Sequence, residues 1–131
     1  MNHKLLYTLV IILTFSFTGN SQEREIASGT KQFNKYAFVD SQKIFLKVAE
    51  AGYESSELFS KLGDAFYYNA DYSEAQTWYD KLVEKYPSEV TPDQYFRYAQ
   101  ALRANKEYDK SVEMISRYKD MMNAEDANYY N

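Results

Sequence analysis

The sequence predicts an all-α protein, a right-handed stack of antiparallel helical hairpins with about three repeats. Three observations predict this fold. Apolar side chains recur every three or four positions, as at Phe59, Leu62 and Phe66, which is the spacing of a helix with one buried face. Small residues recur along the chain at intervals of 34 and then 36 residues. The strict alternation of apolar and polar residues that indicates a strand is absent from the sequence.

Each repeat has one small residue on its first helix and another on its second helix. These residues are Gly29, Gly63 and Ala99 on the first helices, and Ser41, Ala75 and Ser111 on the second helices. Small residues at facing positions let two antiparallel helices approach closely, while larger side chains fill the groove beside them. Because one hairpin of this size cannot bury its apolar face alone, the hairpins must stack to form a continuous core.

Residues 1–21 are predicted to be a secretory signal peptide. Lys4 supplies a positive start, residues 5–18 form an apolar run, and small residues follow, with cleavage expected after Ser21. The apolar run is shorter than the ~20 residues of a membrane-spanning helix. We therefore expect no membrane span after cleavage. The alternative is an uncleaved membrane anchor.

The rest of the chain is predicted to form helices near residues 23–36, 39–51, 55–69, 72–86, 92–104 and 108–122. Thr91 and Gln94 predict a capping box, beside a proline at the first helical position. Asp71 and Glu74 predict a capped start for the fourth helix. Pro87 ends that helix, because the residue before a proline is disfavoured in helical conformation.

The predicted helices pair into a degenerate repeat over 22–55, a second repeat over 56–89 and a third over 90–123. The first helix of the degenerate repeat has polar residues where large apolar ones belong, so we expect it to be frayed or to act as a polar cap. The tail over 124–131 has no apolar period and is predicted to be disordered.

The second repeat has an aromatic-Leu-Gly-aromatic-Ala-aromatic-Pro pattern. The pattern is formed by Phe59, Leu62, Gly63, Phe66, Ala75, Tyr79 and Pro87. This pattern resembles the tetratricopeptide repeat (TPR). The third repeat follows it through Tyr95, Ala99, Tyr108, Ser111 and Ile115, and the first through Phe38, Ser41, Phe45 and Val48.

A second resemblance concerns the order of the segments along the chain. The predicted signal followed by residues 35–41, 61–72 and 95–100 resembles the N-terminal TPR module of Bacteroidota OmpA-like envelope proteins. In those proteins a β-propeller-like region and a peptidoglycan-binding domain follow the module. The resemblance implies a truncated or stand-alone module, exported to the periplasm or associated with the outer membrane. Peptidoglycan binding is not carried over to this chain.

The composition excludes several functions. The chain has a formal net charge of −4, which argues against the basic face that nucleic-acid binding needs. It contains no Cys, and its single His, His3, lies in the predicted signal peptide. The remaining chain therefore lacks the usual zinc ligands and the Ser-His and Cys-His nucleophile pairs. We expect no metal, no cofactor, no nucleic-acid partner and no enzymatic activity.

The TPR resemblance implies that a protein or peptide partner binds a concave face lined by the first helix of each hairpin. The implied binding positions are Ser60, Asp64, Tyr67 and Tyr68 in the second repeat, and Phe96, Gln100 and Arg103 in the third. Tyr68 and Phe96 are the candidate anchors, because aromatic residues dominate binding hot spots. Arg103 is a candidate partner for a carboxylate. The alternative is that Tyr68 and Phe96 only pack between neighbouring hairpins.

Some TPR proteins clamp the C-terminal carboxylate of a partner with Lys and Asn at set positions. Here those positions are occupied by Ser60 and Asp64, so no such clamp is expected.

Three functions remain as hypotheses. The first is an exported scaffold that mediates protein–protein interaction in the cell envelope, including docking to a downstream domain or an envelope assembly. The second is a structural subunit of an outer-membrane or secretion assembly. The third is a hydrolase that uses carboxylates alone, such as Asp64, Asp71 and Glu74, and it requires paired carboxyl groups in a deep pocket. The simpler interpretation of these carboxylates is helix capping and solvated helix faces.

Overall fold

A computed structural model of the chain describes residues 21–130. This part of the chain is helical and contains no strand. The helices are α1 over residues 21–33, α2 Phe38–Glu50, α3 Ser56–Tyr68, α4 Tyr72–Lys85, α5 Pro92–Ala104 and α6 Tyr108–Tyr130, with a short 3-10 helix at Pro87–Glu89. Apart from Ser21, the predicted signal peptide lies outside the described residues. Within the described residues, no helix has the length and the apolar character needed to cross a membrane.

The helices form a stack of three antiparallel hairpins, α1–α2, α3–α4 and α5–α6. Helix α3 packs on α4 and α5 packs on α6, while neighbouring hairpins meet through α2–α3, α4–α5 and α3–α5 contacts. One continuous apolar core runs through the stack, from Ile26 of α1 to Met114 of α6. The predicted fold class, an all-α stack of helical hairpins, is therefore confirmed.

Two of the three hairpins are held together by an aromatic ring that lies directly on a glycine. A Cβ atom added to Gly63 of α3 would lie 2.6 Å from Cε1 of Tyr79 on α4. A Cβ atom added to Gly29 of α1 would lie 2.5 Å from Cε1 of Phe45 on α2. Both distances are far below a normal carbon–carbon contact, so only glycine allows these rings to lie where they do.

In the third hairpin, the two helices also approach each other closely, and a hydrogen bond joins them. Ser111 Oγ of α6 donates to the carbonyl oxygen of Ala99 on α5 at 2.8 Å, and both residues are buried. Ser41 of the first hairpin and Ala75 of the second are fully buried as well. The predicted contact between paired small residues is thus confirmed in the third hairpin, whereas in the first two hairpins the glycine lies against an aromatic ring.

The turns inside the three hairpins share an unusual backbone conformation. One residue shortly after the first helix of each hairpin is left-handed, although none is glycine: Tyr36 has φ 61°, Ala70 φ 60° and Lys106 φ 67°. The N–H that follows donates to the carbonyl of a residue five positions earlier, which satisfies one of the free carbonyls at the helix end. These bonds join Ala37 to Gln32 at 3.0 Å, Asp71 to Phe66 at 3.0 Å and Glu107 to Leu102 at 2.9 Å.

The predicted helix starts are confirmed at α4 and α5. Thr91 Oγ1 accepts from the Gln94 N–H at 3.3 Å, and Gln94 Oε1 accepts from the Thr91 N–H at 2.9 Å, which completes the capping box. Asp71 Oδ1 accepts from the Glu74 N–H at 3.2 Å. Helix α4 ends at Lys85, and Pro87 then begins the 3-10 helix.

The prediction of a disordered tail over 124–131 is wrong for the residues that the structure describes, because α6 continues through Tyr130. The tail contains no Gly or Pro, and Ala124, Glu125 and Ala127 are good helix formers. Extending an existing helix also avoids the cost of nucleation, so no apolar period is needed. At the other end of the stack, α1 is a regular helix over 21–33 that buries Ile26 and leaves Ser28 exposed, as a polar cap would.

The middle hairpin contains the single tryptophan of the chain, Trp78. Its side chain is buried, with its ring 5.7 Å from that of Phe59 on α3. The Lys81 ammonium lies 4.2 Å from the centre of the indole, within range of a cation–π interaction.

Replacing Gly63 with Ala should lower the free energy of unfolding by about 1–3 kcal/mol, because the new methyl group must displace the buried Tyr79 ring. Helix propensity alone predicts the opposite sign, a gain of about 1 kcal/mol. Urea denaturation followed by circular dichroism measures the difference. The control is Glu57→Ala at an exposed position of the same helix. A stabilised Gly63→Ala variant would show that the ring does not depend on this glycine.

Replacing Ala70 with Gly should raise the free energy of unfolding by about 1 kcal/mol, because glycine adopts the left-handed conformation without steric cost. The same substitution at Ala104, an exposed residue in the last turn of α5, should instead destabilise the protein. Thermal unfolding of both variants tests the sign. If both variants shift the melting temperature in the same direction, the backbone of residue 70 is not strained.

Candidate protein-binding site

The first helices of the three hairpins lie next to one another. The rings of Phe33 on α1 and Tyr68 on α3 are 5.9 Å apart. Arg97 Nε on α5 lies 3.0 Å from Asp64 Oδ1 on α3. These contacts place side chains of α1, α3 and α5 on a common surface, which we call the first-helix face.

Asp64 is the centre of a polar network that connects the second and third hairpins. Its Oδ1 accepts a hydrogen bond from the Tyr79 hydroxyl at 2.6 Å and another from Arg97 Nε at 3.0 Å. The Asp64 and Arg97 side chains are only 15% and 16% exposed. Because its carboxylate is occupied in this way, Asp64 positions Arg97 rather than facing a partner directly.

The network changes the acidity of its members. Burial and the neighbouring Asp64 carboxylate raise the pKa of the Tyr79 hydroxyl well above its usual value. Burial alone would lower the pKa of the Arg97 guanidinium, but the Asp64 carboxylate together with the Tyr79 and Tyr68 hydroxyls outweighs burial and raises that pKa. Arg97 therefore stays charged and the Tyr79 hydroxyl stays protonated, so both donate to Asp64 Oδ1.

A second network of the same type joins α4 to the last hairpin. The Tyr98 hydroxyl and Lys110 Nζ both donate to Asp80, the lysine at 2.6 Å. Burial and the hydrogen bond to Asp80 raise the pKa of the Tyr98 hydroxyl. Both networks therefore lie at the junction between the second and third hairpins, and each combines a tyrosine, an aspartate and a cation.

Four aromatic residues form an exposed cluster at one end of the first-helix face. Phe33, Tyr36, Phe38 and Tyr68 line an open cavity of about 510 Å³, together with Asn34. We call these four residues the aromatic patch. Tyr68 stacks on Phe38 with ring centres 5.3 Å apart, and Phe33 meets the Phe38 ring edge-on at 5.2 Å. Tyr36 is 82% exposed and Tyr68 is 49% exposed, so the patch presents ring surface to solvent.

Positive charges border this patch. Lys61 Nζ lies 5.3 Å from the centre of the Phe33 ring, and Arg97 Cζ lies 5.7 Å from the centre of the Tyr68 ring. Burial raises the pKa of the adjacent Tyr67 hydroxyl, whereas the charges of Arg97 and Arg103 lower it. Tyr67 lies at the edge of the patch, where its ring meets that of Tyr68 edge-on.

The predicted binding residues of the second repeat have different surroundings. Tyr68 belongs to the aromatic patch, and Tyr67 meets it edge-on at 5.5 Å. Ser60 is half-buried on α3, and Asp64 lies in the polar network described above. The packing alternative holds in part for Tyr68, since one side of its ring contacts Phe38 while about half of the residue stays exposed.

The predicted residues of the third repeat are more scattered. Arg103 is exposed and Gln100 is half-buried on α5. Phe96 packs against Tyr118 of α6 with ring centres 5.5 Å apart, although it remains 41% exposed. Phe96 therefore packs within its own hairpin, whereas the packing alternative placed it between neighbouring hairpins, and it is not among the residues that line the cavity.

Sequence reasoning missed Phe33, Tyr36 and Arg97. The sequence contained a signal for Arg97, because it lies 36 residues after Lys61, which is the interval between the second and third repeats. In the structure, each of these two cations lies beside an aromatic ring of the preceding hairpin. Phe33 also had a signal, since it precedes Tyr67 by 34 residues. Tyr36 stands where a glycine is usual, in a turn whose backbone conformation the sequence did not reveal.

Two of the three carboxylates considered for hydrolysis have structural partners. Asp71 caps α4, and Asp64 is engaged by Tyr79 and Arg97. Over the described residues 21–130, no group of three His, Cys, Asp or Glu side chains is arranged to hold a metal ion.

The sequence matches no protein-family model and none of the curated proteins. Several solved structures resemble the fold, including the following two. PcrH, solved in complex with the chaperone binding region of PopB, aligns with a TM-score of 0.68 at 20% identity, over 80% of this chain and 83% of that chain. The Yersinia enterocolitica type III secretion translocator chaperone SycD, in an alternative dimer, aligns with a TM-score of 0.66 at 17% identity, over 79% of this chain and 76% of that chain. At these identities the likeness establishes a TPR-like helical-hairpin fold.

The stability of the protein should fall as the pH rises above about 10. The unfolded Tyr79 hydroxyl ionises near pH 10, while the folded one resists ionisation because its pKa is raised. Its contribution is therefore complete below pH 10 and is lost as the pH rises towards the folded-state pKa. Urea unfolding between pH 8 and 11 measures this slope.

The matched variants are Tyr79→Phe, which should make the slope smaller while the protected Tyr98 hydroxyl maintains the rest of it, and Tyr108→Phe at a residue that is 60% exposed, which should leave the slope unchanged. Equal slopes in the three proteins would show that Tyr79 is not protected from ionisation.

Proposed function

We propose that this protein is an exported, non-enzymatic scaffold. It binds a segment of a partner protein on its first-helix face, which forms the concave face of the stack. The aromatic patch carries this proposal. It exposes ring surface of Tyr36 and Tyr68 around an open cavity of about 510 Å³. Contiguous apolar surface rimmed by polar groups marks interaction sites, and aromatic residues dominate their binding energy.

The comparison with PcrH supports the mode of binding. That protein, which has the same fold over 80% of this chain, was solved with the chaperone binding region of PopB. A stack of helical hairpins of this size is therefore able to hold a segment of another protein. We propose the same mode of binding for this chain.

The proposal of export rests on the sequence. Lys4, the apolar run over 5–18 and the small residues before Gln22 form the pattern of a cleaved signal. The resemblance to the N-terminal module of Bacteroidota OmpA-like envelope proteins supports a periplasmic or outer-membrane-associated location.

A structural role in an envelope or secretion assembly is the second candidate. The observation that favours it is an exposed apolar surface on α6, where Val112 is 71% exposed and Tyr108 is 60% exposed. A subunit of such an assembly would bury this surface in a stoichiometric complex, whereas a scaffold would capture its partner through the aromatic patch.

Replacing Tyr68 with Ala should reduce partner capture about tenfold or more, because a buried aromatic anchor at an interface contributes roughly 2 kcal/mol. Affinity capture from envelope extract, with quantitative mass spectrometry, compares the variant with the native protein. Circular dichroism verifies that both are equally helical.

The control is Tyr108→Ala, which removes a tyrosine of α6 that is 60% exposed, against 49% for Tyr68. Loss of the captured protein with Tyr108→Ala but not with Tyr68→Ala would favour the assembly surface instead. Phe96→Ala should reduce partner capture less than Tyr68→Ala does, because the Phe96 ring contacts Tyr118 of its own hairpin.

A further inference from the structure

We propose that the first-helix face selects partner segments in which acidic side chains lie next to a large apolar or aromatic side chain. This inference rests on the proposed function and specifies the chemistry of the segment that binds. It follows from three features of the face, which are the repeated pairing of cations with rings, the charge that remains unbalanced, and the position of Arg103.

A cation and an aromatic ring are paired twice along the stack in the same way. Lys61 and Arg97 occupy corresponding positions of the second and third repeats, 36 residues apart. Each lies over a ring near the end of the preceding first helix, Lys61 over Phe33 at 5.3 Å and Arg97 over Tyr68 at 5.7 Å. An apolar side chain that enters the aromatic patch therefore brings its flanking residues close to positive charge.

The charges on this face are only partly balanced. Arg97 is paired with Asp64 at 3.0 Å, which compensates one positive charge. In the part of the chain that the structure describes, neither Lys61 nor Arg103 belongs to a salt bridge. Glu57 lies one helical turn before Lys61 on α3, so Arg103 provides the clearer excess of positive charge.

Arg103 is placed where a carboxylate of a bound segment can reach it. Its side chain is exposed on the last turn of α5. Asn105, two residues further along the chain, donates to the carbonyl oxygen of Tyr72 at 3.1 Å. The Tyr72 ring lies 5.6 Å from that of Tyr67, which meets Tyr68 of the patch edge-on at 5.5 Å. The whole chain has a formal net charge of −4, so this local positive charge stands out against an acidic molecule.

The two parts of the site have different roles. The rings supply apolar contact area and most of the affinity. Charges at the rim of an interface add little affinity each, about two- to fivefold, but they steer association and reject segments of the wrong sign. An acidic segment with an apolar anchor is favoured by both parts, a neutral apolar segment by the rings alone, and a basic segment by neither.

The test is selection from a displayed library of random 12-residue peptides on the intact protein. The native protein should enrich peptides that combine Asp or Glu with Leu, Phe, Tyr or Trp. Arg103→Glu should lose the enrichment of acidic residues while keeping that of apolar residues. Lys119→Glu, the same charge change at an exposed position of α6, should enrich the same peptides as the native protein.

One enriched peptide, synthesised with a fluorescent label, then gives the affinities by anisotropy. Arg103→Glu should weaken its binding about tenfold and Arg103→Gln about threefold, and raising the salt from 0.05 to 0.5 M should reduce both differences. Circular dichroism confirms that the variants are folded.

The outcomes separate this inference from the proposed function. Enrichment of apolar peptides without acidic residues, lost with Tyr68→Ala, would overturn the acidic preference and leave the binding function intact. Enrichment that Tyr68→Ala does not change, or no enrichment at all, would overturn both.

Discussion

The contact between the Gly63 backbone and the Tyr79 ring determines much of the arrangement described above. Because no Cβ separates them, α3 and α4 approach closely enough for the Tyr79 hydroxyl to donate to Asp64. Asp64 in turn holds Arg97 of the next hairpin, and Arg97 lies over the Tyr68 ring. A packing constraint inside one hairpin is thus transmitted to the junction with the next hairpin and to the candidate binding surface.

Most of the fold could be predicted because its causes are local. The caps at Asp71 and Thr91 and the break at Pro87 depend on a few adjacent residues, and the structure has all three. The continuation of α6 was missed because apolar periodicity reports burial, and a helix that extends from a packed one needs little burial. The left-handed backbone conformation in the turns was not predicted, because glycine usually marks it in a sequence. Here Ala70 and Lys106 adopt this conformation instead.

The candidate site was predictable only in part. Repeat mapping located Tyr67 and Tyr68, since their positions depend on the helix that carries them. The role of Asp64 depends on Arg97, which is 33 residues away in the next hairpin, so the sequence suggested an exposed ligand where the structure has an internal ion pair. The aromatic patch likewise requires Phe33 and Tyr68 from different hairpins to meet, and that contact depends on how the hairpins stack.

The burial of Trp78 makes the central hairpin optically distinct from its neighbours. It is the single indole of the chain, and its emission reports the surroundings of α3 and α4 alone. Backbone dichroism, in contrast, averages over all the helices. Repeat stacks can lose their units one after another instead of all at once. A comparison of the two signals therefore distinguishes a molecule that melts cooperatively from one whose outer hairpins detach first.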